Sequence, residues 1–320
     1  MSRPSPARHR PHGAGPAALL LGAGLLAGCG DGGPHFESIG PSPGDHVVSL
    51  ARDARGTLHA GTGTGEVLRH RSGADWDPLS GDTGAGGVTT LVTEPRRVAG
   101  GVDGARVHLA GDWRAFTDAP FDGAAIAALL ADDDGGLWVA TSDAVHHASN
   151  ALEDWTTLPA TGLDDGPPVY RLGRDADGAL LTATIGGGVR RLSGDRWQRD
   201  SAGLPDGVKV FDFQRYGDTA LAIGTDHGPY GRPAPDAAWR PLGEGLAGKR
   251  VIALTTTGTG DDQRLWAGGD AGIHVLTTID GPWEAVPMHP EPTSAVAWLL
   301  SVRGTVHAAA GRVYRLSDGN

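Results

Sequence analysis

Residues 126–155 read IAALLADDDGGLWVATSDAVHHASNALEDW. Three runs with strand character, 126–130, 137–141 and 144–148, are divided by turn formers, and the stretch closes on Trp155. Gly supplies positive φ and Asp bonds its own backbone, so 131–136 and 142–143 read as turns. Runs this short, bounded by such residues and rich in Val, Leu, Thr and Trp, are strands.

The pattern recurs along the chain. Trp76, Trp113, Trp155, Trp197, Trp239 and Trp283 are separated by 37, 42, 42, 42 and 44 residues, and Phe36 precedes Trp76 by 40. The third residue after each aromatic is apolar in Ile39, Leu79, Phe116, Leu158, Leu242 and Val286, with Asp200 the polar exception. Each aromatic segment is followed by a Gly/Pro/Asp-rich loop, a first apolar run (such as 47–50, 169–172 or 251–254), a second (58–62, 180–184, 265–269) and a third (66–70, 189–192, 273–276). Seven units of four short strands result. One such sheet cannot bury both faces, whereas seven packed radially can, which predicts an all-β, seven-bladed β-propeller with four-stranded blades over residues 36–318. The last unit stops at Leu316 after three strands, and the spare segment 36–39 is the expected N-terminal strand closing the last blade. Blade five carries Pro229, Pro233 and Pro235 where other units have a third strand, which predicts an irregular, exposed rim there.

Composition agrees with many turns. The chain has 52 Gly in 320 residues, about twice the usual ~7%. That content excludes a helical bundle, and no Gly-X-Y period exists for collagen. Nine Trp and 39% apolar residues supply a core, and a single Cys excludes a disulfide framework.

That Cys has its own context. Residues 1–28 hold three Arg, no acid and an apolar run over 17–27, the pattern of a secretory signal. Leu26-Ala27-Gly28-Cys29 resembles the lipobox of bacterial lipoproteins, which implies cleavage before Cys29, its lipidation, and a tether over 29–35. By the same analogy Gly30 favours the outer membrane, facing the periplasm. From Cys29 onward 24 basic residues face 38 acidic ones, a net −14 with no basic run. Nucleic acid is therefore not an expected partner, and the membrane is met through the lipid alone.

The repeat looks like that of the two-component-regulator propeller and related WD40/YVTN/BNR-like propellers. Its best copy holds residues 132–141, and Asp-x-x-Gly-x-Leu recurs at Asp53/Gly56/Leu58 and Asp175/Gly178/Leu180. The resemblance implies the fold and leaves function open among sensor domains, assembly factors and glycan-active enzymes. It departs from WD40 repeats, since Trp76-Asp77 is the one Trp-Asp pair and no Gly-His occurs.

Catalytic constellations are not found. Seven Glu are scattered, and no phosphate-loop, serine-hydrolase or His-Glu-x-x-His motif is present. Most Asp suits turns, including 132–134, 164–165 and 261–262, where calcium is the one cofactor the composition admits; no other cofactor or metal is expected. His108, His146 and His274 occupy equivalent third-strand places and read as a polar rim or as inter-blade contacts. Trp138, Trp266 and Trp298 read as core. The candidate ligand face is the one bearing the turns between second and third strands, with Asp103, Asp143, Asp226, His227 and Asp270. Such a ring of carboxylates favours a cationic or polyhydroxylated ligand. The sequence thus describes a monomeric, non-catalytic envelope propeller that binds or assembles an envelope protein, with a glycan-binding or glycan-active propeller and an extracytoplasmic sensor-input module as alternatives. If Cys29 carries the anchor, Cys29→Ala moves the expressed protein from the detergent phase to the aqueous phase in a Triton X-114 partition.

Overall fold

The computed structural model describes residues 33–41, 46–94, 96–132, 134–149, 152–163 and 166–318. The expected signal, Cys29, Asp133, Asp164 and Asp165 lie outside the described residues. Six four-stranded antiparallel sheets follow one another along the chain, each in sequential strand order. Their innermost strands, Val47–Arg52, Thr90–Val92, Ala128–Ala131, Val169–Arg174, Val210–Tyr216 and Val251–Thr257, define blades 1 to 6. Blade 7 runs Trp298–Val302, Thr305–Ala309 and Val313–Ser317, and its outer place is filled by His35–Gly40 from the other end of the chain. The inner strands touch in ring order, and that of blade 7 touches those of blades 6 and 1. The chain folds as a seven-bladed β-propeller.

The blades must narrow toward the axis, and the sequence makes room for this. The first-strand positions Ser49, Thr90, Ala128, Arg171, Asp212, Ala253 and Trp298 pair with Gly61, Gly100, Ala140, Ala183, Gly224, Gly268 and Ala309. Every one of these partners is Gly or Ala. A Cβ on Gly61 would lie 2.6 Å from Val88 Cγ1, and one on Gly268 would lie 2.5 Å from Val296 Cγ1. Those valines lead into the next blade's first strand, so glycine here serves close approach of neighbouring sheets.

The periodic tryptophans have a second task at the outer edge. Trp76 Nε1 donates to Ile39 O (2.8 Å), Trp113 to Leu79 O (2.9 Å), Trp239 to Asp200 O (2.9 Å) and Trp283 to Leu242 O (2.7 Å). Each acceptor is the third residue after the preceding aromatic. Four of the six periodic tryptophans thus hook onto the preceding unit, each bond worth about 1 kcal/mol. Trp197 breaks the series: its Nε1 is buried without a partner among the described residues, and its backbone N–H bonds Thr161 O instead (2.9 Å).

His35–Gly40 pairs antiparallel with Val313–Ser317 on one side and parallel with a short strand, Met288–His289, on the other. Phe36 is fully buried and meets Trp266 edge-on at 6.0 Å between centroids. The fifth strand is not legible as a repeat element, because it is the continuation of blade 6's outer strand, Glu284–Val286, past Pro287.

In blade 5 the prolines do not displace the third strand; the irregular, exposed part is the outer strand, reduced to Arg240–Pro241. Gly228–Arg232 is a regular third strand, buried throughout and paired in register from Thr225↔Gly228 to Leu221↔Arg232. Pro229 still offers its carbonyl, which accepts the Leu242 N–H at 3.0 Å. Arg232 also explains Asp200. Its guanidinium, wholly buried, binds both Asp200 oxygens (2.9 and 2.8 Å) and Asp175, and lies 4.5 Å over the Trp239 ring. An ion cluster thus joins blades 4 and 5.

His307 sits in the second strand of blade 7, only 6% exposed, and burial lowers its pKa to about 4. A histidine held neutral in the fold but titrating near 6.5 when unfolded leaves stability intact above pH 6.5 and erodes it as pH falls toward 4, by about 3 kcal/mol. Trp138, Leu181, Ala222 and Trp266 follow the opening second-strand Leu in other blades, as His307 follows Val306. His307→Leu is therefore expected to match wild type in urea unfolding at pH 7 and to exceed it at pH 4.5.

Candidate functional site

Strand alternation puts the turns between second and third strands on the same face as the connections that lead into each first strand. Asp103, Asp143, Asp226, His227 and Asp270 all lie in those turns. The fold brings them to one face, and local contacts then occupy most of them. Asp143 Oδ1 accepts the Thr141 hydroxyl (2.9 Å). Asp226 Oδ1 accepts the Lys209 N–H (3.0 Å) and lies 2.9 Å from His227 Nδ1. Asp270 Oδ1 accepts from Arg250 (2.7 Å), and this pair is half exposed. Asp103 is exposed, and its backbone N–H bonds Ala85 O (3.0 Å).

Inside this rim lies the mouth of the central channel. In blades 1, 4, 5 and 6 the first strand carries an extra residue between its first two paired positions: Val48, Tyr170, Phe211 and Ile252. Bulges of this kind re-aim a side chain. Thr89, Ala127 and Ala297 hold the equivalent places in blades 2, 3 and 7, each with its N–H on a second-strand carbonyl (3.0, 2.8 and 2.9 Å). A cavity of about 280 Å³ opens here, lined by residues of six blades that include Val48, Tyr170, Ile252, Arg171 and Trp298. Tyr170 is 37% exposed and is braced edge-on by Phe211 at 5.6 Å.

Arg171 and Trp298 come from blades on opposite sides of the ring. The Arg171 guanidinium carbon lies 4.1 Å from the Trp298 ring centroid, a cation–π contact across the channel. Arg171 Nε stands 3.4 Å from both Asp212 Oδ1 and Phe211 O. Asp212 Oδ2 in turn accepts the Leu254 N–H (2.8 Å), so one carboxylate ties blades 4, 5 and 6. Burial pushes the Asp212 carboxyl above its ordinary pKa, against Arg171 and backbone N–H groups, which pull it down. Trp298, expected in the core, is part-buried: it packs against the core cluster around Val47 and Leu50 and also lines the mouth. Trp266 is buried as expected, and Trp138 stacks on His147 at 4.0 Å.

Other sequence-selected groups lie elsewhere. His108 Nε2 is 3.0 Å from Ser80 Oγ of blade 1, an inter-blade contact, and His146 Nδ1 is 3.0 Å from Thr157 Oγ1 within its own blade. On the opposite face, Asp132 binds Arg174 (2.7 Å) and lies 3.0 Å from His147, and Asp175 binds Arg191 (2.6 Å). Among the described residues no group of three or more His, Cys, Asp or Glu is arranged to hold a metal ion. No described helix is long and apolar enough to cross a membrane.

Solved structures share this ring. The extracellular domain of a protein assigned as a hybrid two-component system of B. thetaiotaomicron superposes with a TM-score of 0.73 at 15% identity, over 88% of this chain. The present chain spans about 39% of the length of that domain. Streptogramin B lyase matches with a TM-score of 0.71 at 12% identity, over 89% of this chain and 97% of its own. The WD40 propeller of Doa1 gives 0.65 at 11% identity, over 88% and 96%. At these identities the likeness is one of fold. No family model and no curated protein matches the sequence.

Arg171 and Asp212 are not among the residues that the sequence singles out, and Trp298 is read there only as core. Their signal is positional: the other blades carry Ser, Thr or Ala at that place of the first strand. The pairing has a measurable consequence. Asp212→Leu strips Arg171 of its counter-charge and the Leu254 N–H of its acceptor, and is expected to cost about 3 kcal/mol in urea unfolding. Arg171→Leu combined with Asp212→Leu is expected to cost less than Asp212→Leu alone.

Proposed function

We propose that this protein is a lipid-anchored, non-catalytic binding propeller of the cell envelope, serving as an extracytoplasmic ligand-binding module of the sensor-input kind. The observation that carries the reading is the mouth: bulged residues line a 280 Å³ cavity that holds a half-exposed tyrosine and a charged group. Small-molecule sites are concave, mostly apolar and carry a few placed polar groups, and this cavity sits at the small end of their ~300–1,000 Å³ range. The likeness to an extracellular domain of a two-component system supports this use of the fold, and the likeness to a lyase shows that the same ring hosts chemistry in another protein.

A protein-binding scaffold is the second reading. It is favoured by a groove of about 330 Å³ between the outer parts of blades 2 and 3, where Leu109, Phe116, Leu152 and Trp155 present apolar surface. The two readings separate by plugging the mouth. In a thermal-shift screen of sugars, amino acids, amines and organic acids, wild type is expected to respond to at least one class. Val48→Trp and Ala127→Trp are expected to keep the wild-type melting temperature and lose that response. Responses that survive both plugs, or no response at all, would move the function to the outer groove.

A further inference from the structure

The mouth is acidic by residue count, yet its chemistry is not that of an anionic ring. Asp143, Asp226 and Asp270 already accept hydrogen bonds from Thr141, Lys209 and Arg250. Basic residues, in contrast, precede three of the bulged positions: His46, Lys209 and Arg250 each stand two places before a bulged residue. The cavity itself contains one charged lining residue, Arg171.

The set of Arg171 is specific. Its side chain is only 14% exposed and is pinned at two points, by the Trp298 face and by the contacts of Nε. Asp212 meets the guanidinium at Nε, leaving the terminal fork out of that pair. Among the described residues Nη1 and Nη2 find no hydrogen-bond acceptor. A planar guanidinium held in this way presents two parallel N–H donors, the geometry that matches a carboxylate and that an ammonium does not reproduce. Around it the cavity wall is aromatic and aliphatic: Tyr170, Val48 and Ile252.

We infer that the mouth takes a small organic acid, its carboxylate bound by the free fork of Arg171 and its flat apolar body lying against Tyr170, Val48 and Ile252. This deepens the binding reading above, on which it rests, and it reverses the cationic or polyhydroxylated ligand that the aspartates alone suggest. The reason is the fork itself: Nη1 and Nη2 have no acceptor among the described residues, and a carboxylate can meet both in a charge-assisted bidentate pair, which an amine or a sugar cannot offer.

The test is calorimetric titration of the full-length chain with benzoate, phenylacetate and indole-3-acetate, against indole-3-acetamide and benzylamine. At least one carboxylate is expected to bind with sub-millimolar affinity, and the amide and the amine at least 10-fold more weakly. Arg171→Lys, which keeps the charge and loses the fork, is expected to weaken the carboxylate at least 10-fold. Arg171→Gln combined with Asp212→Asn, which leaves no unpaired charge should Arg171→Lys fail to fold, is expected to do the same. Equal binding of acid and amide, or a carboxylate response unchanged in these variants, overturns the inference. If benzylamine or a sugar binds instead and Val48→Trp abolishes it, the mouth remains the site and the organic acid falls. If no compound responds to the plug, both fall.

Discussion

Seven sheets converging on one axis must approach one another more closely at the hub than two β-sheets ordinarily do, and this crowding governs the molecule. Gly or Ala opposite the equivalent position of every first strand is the response, and the valines that rest on Gly61 and Gly268 show how little space is left. Once that approach is satisfied, the outer parts of the blades diverge, and larger groups fill the widening gap: the tryptophan hooks, Phe36, and the Arg232 cluster. Small residues inside and large ones outside are one constraint seen at two radii.

Much of this was legible from residue order, since the tryptophan period reports a repeated physical contact. A residue that must reach the preceding repeat's backbone has to recur at the repeat length. The turns Asp53/Gly56 and Asp175/Gly178 were equally readable, and both glycines have φ of +82°. What escaped were features that break the repeat. Arg232 is a buried cation in a strand otherwise formed by Gly, Pro and Tyr, and its partner Asp200 is 32 residues distant and stood out only as an exception. Met288–His289 is too short to have a pattern.

The site was legible in place and not in chemistry. Its face follows from topology, which carries the turn aspartates to one side of the ring. Counting carboxylates fails as a guide to the field, because turn aspartates spend their oxygens locally on Thr141, Lys209 or Arg250. The groups that set the mouth's character sit one layer deeper, in strand positions where a repeat-based reading expects only packing. Arg171 and Trp298 lie 127 residues apart and meet only because the ring brings blade 4 opposite blade 7.

The strand His35–Gly40 lies between two others, antiparallel to Val313–Ser317 and parallel to Met288–His289. A tension applied at the chain's beginning therefore runs along that strand and loads the hydrogen bonds of both flanking ladders sideways and together. They do not open one after another, as a terminal strand on a free edge would. Val47 N–H on Gly311 O (3.0 Å) adds a further clip between blades 1 and 7. A pull on the first described strand thus meets the bonds of two ladders in shear, where blades 6 and 7 join.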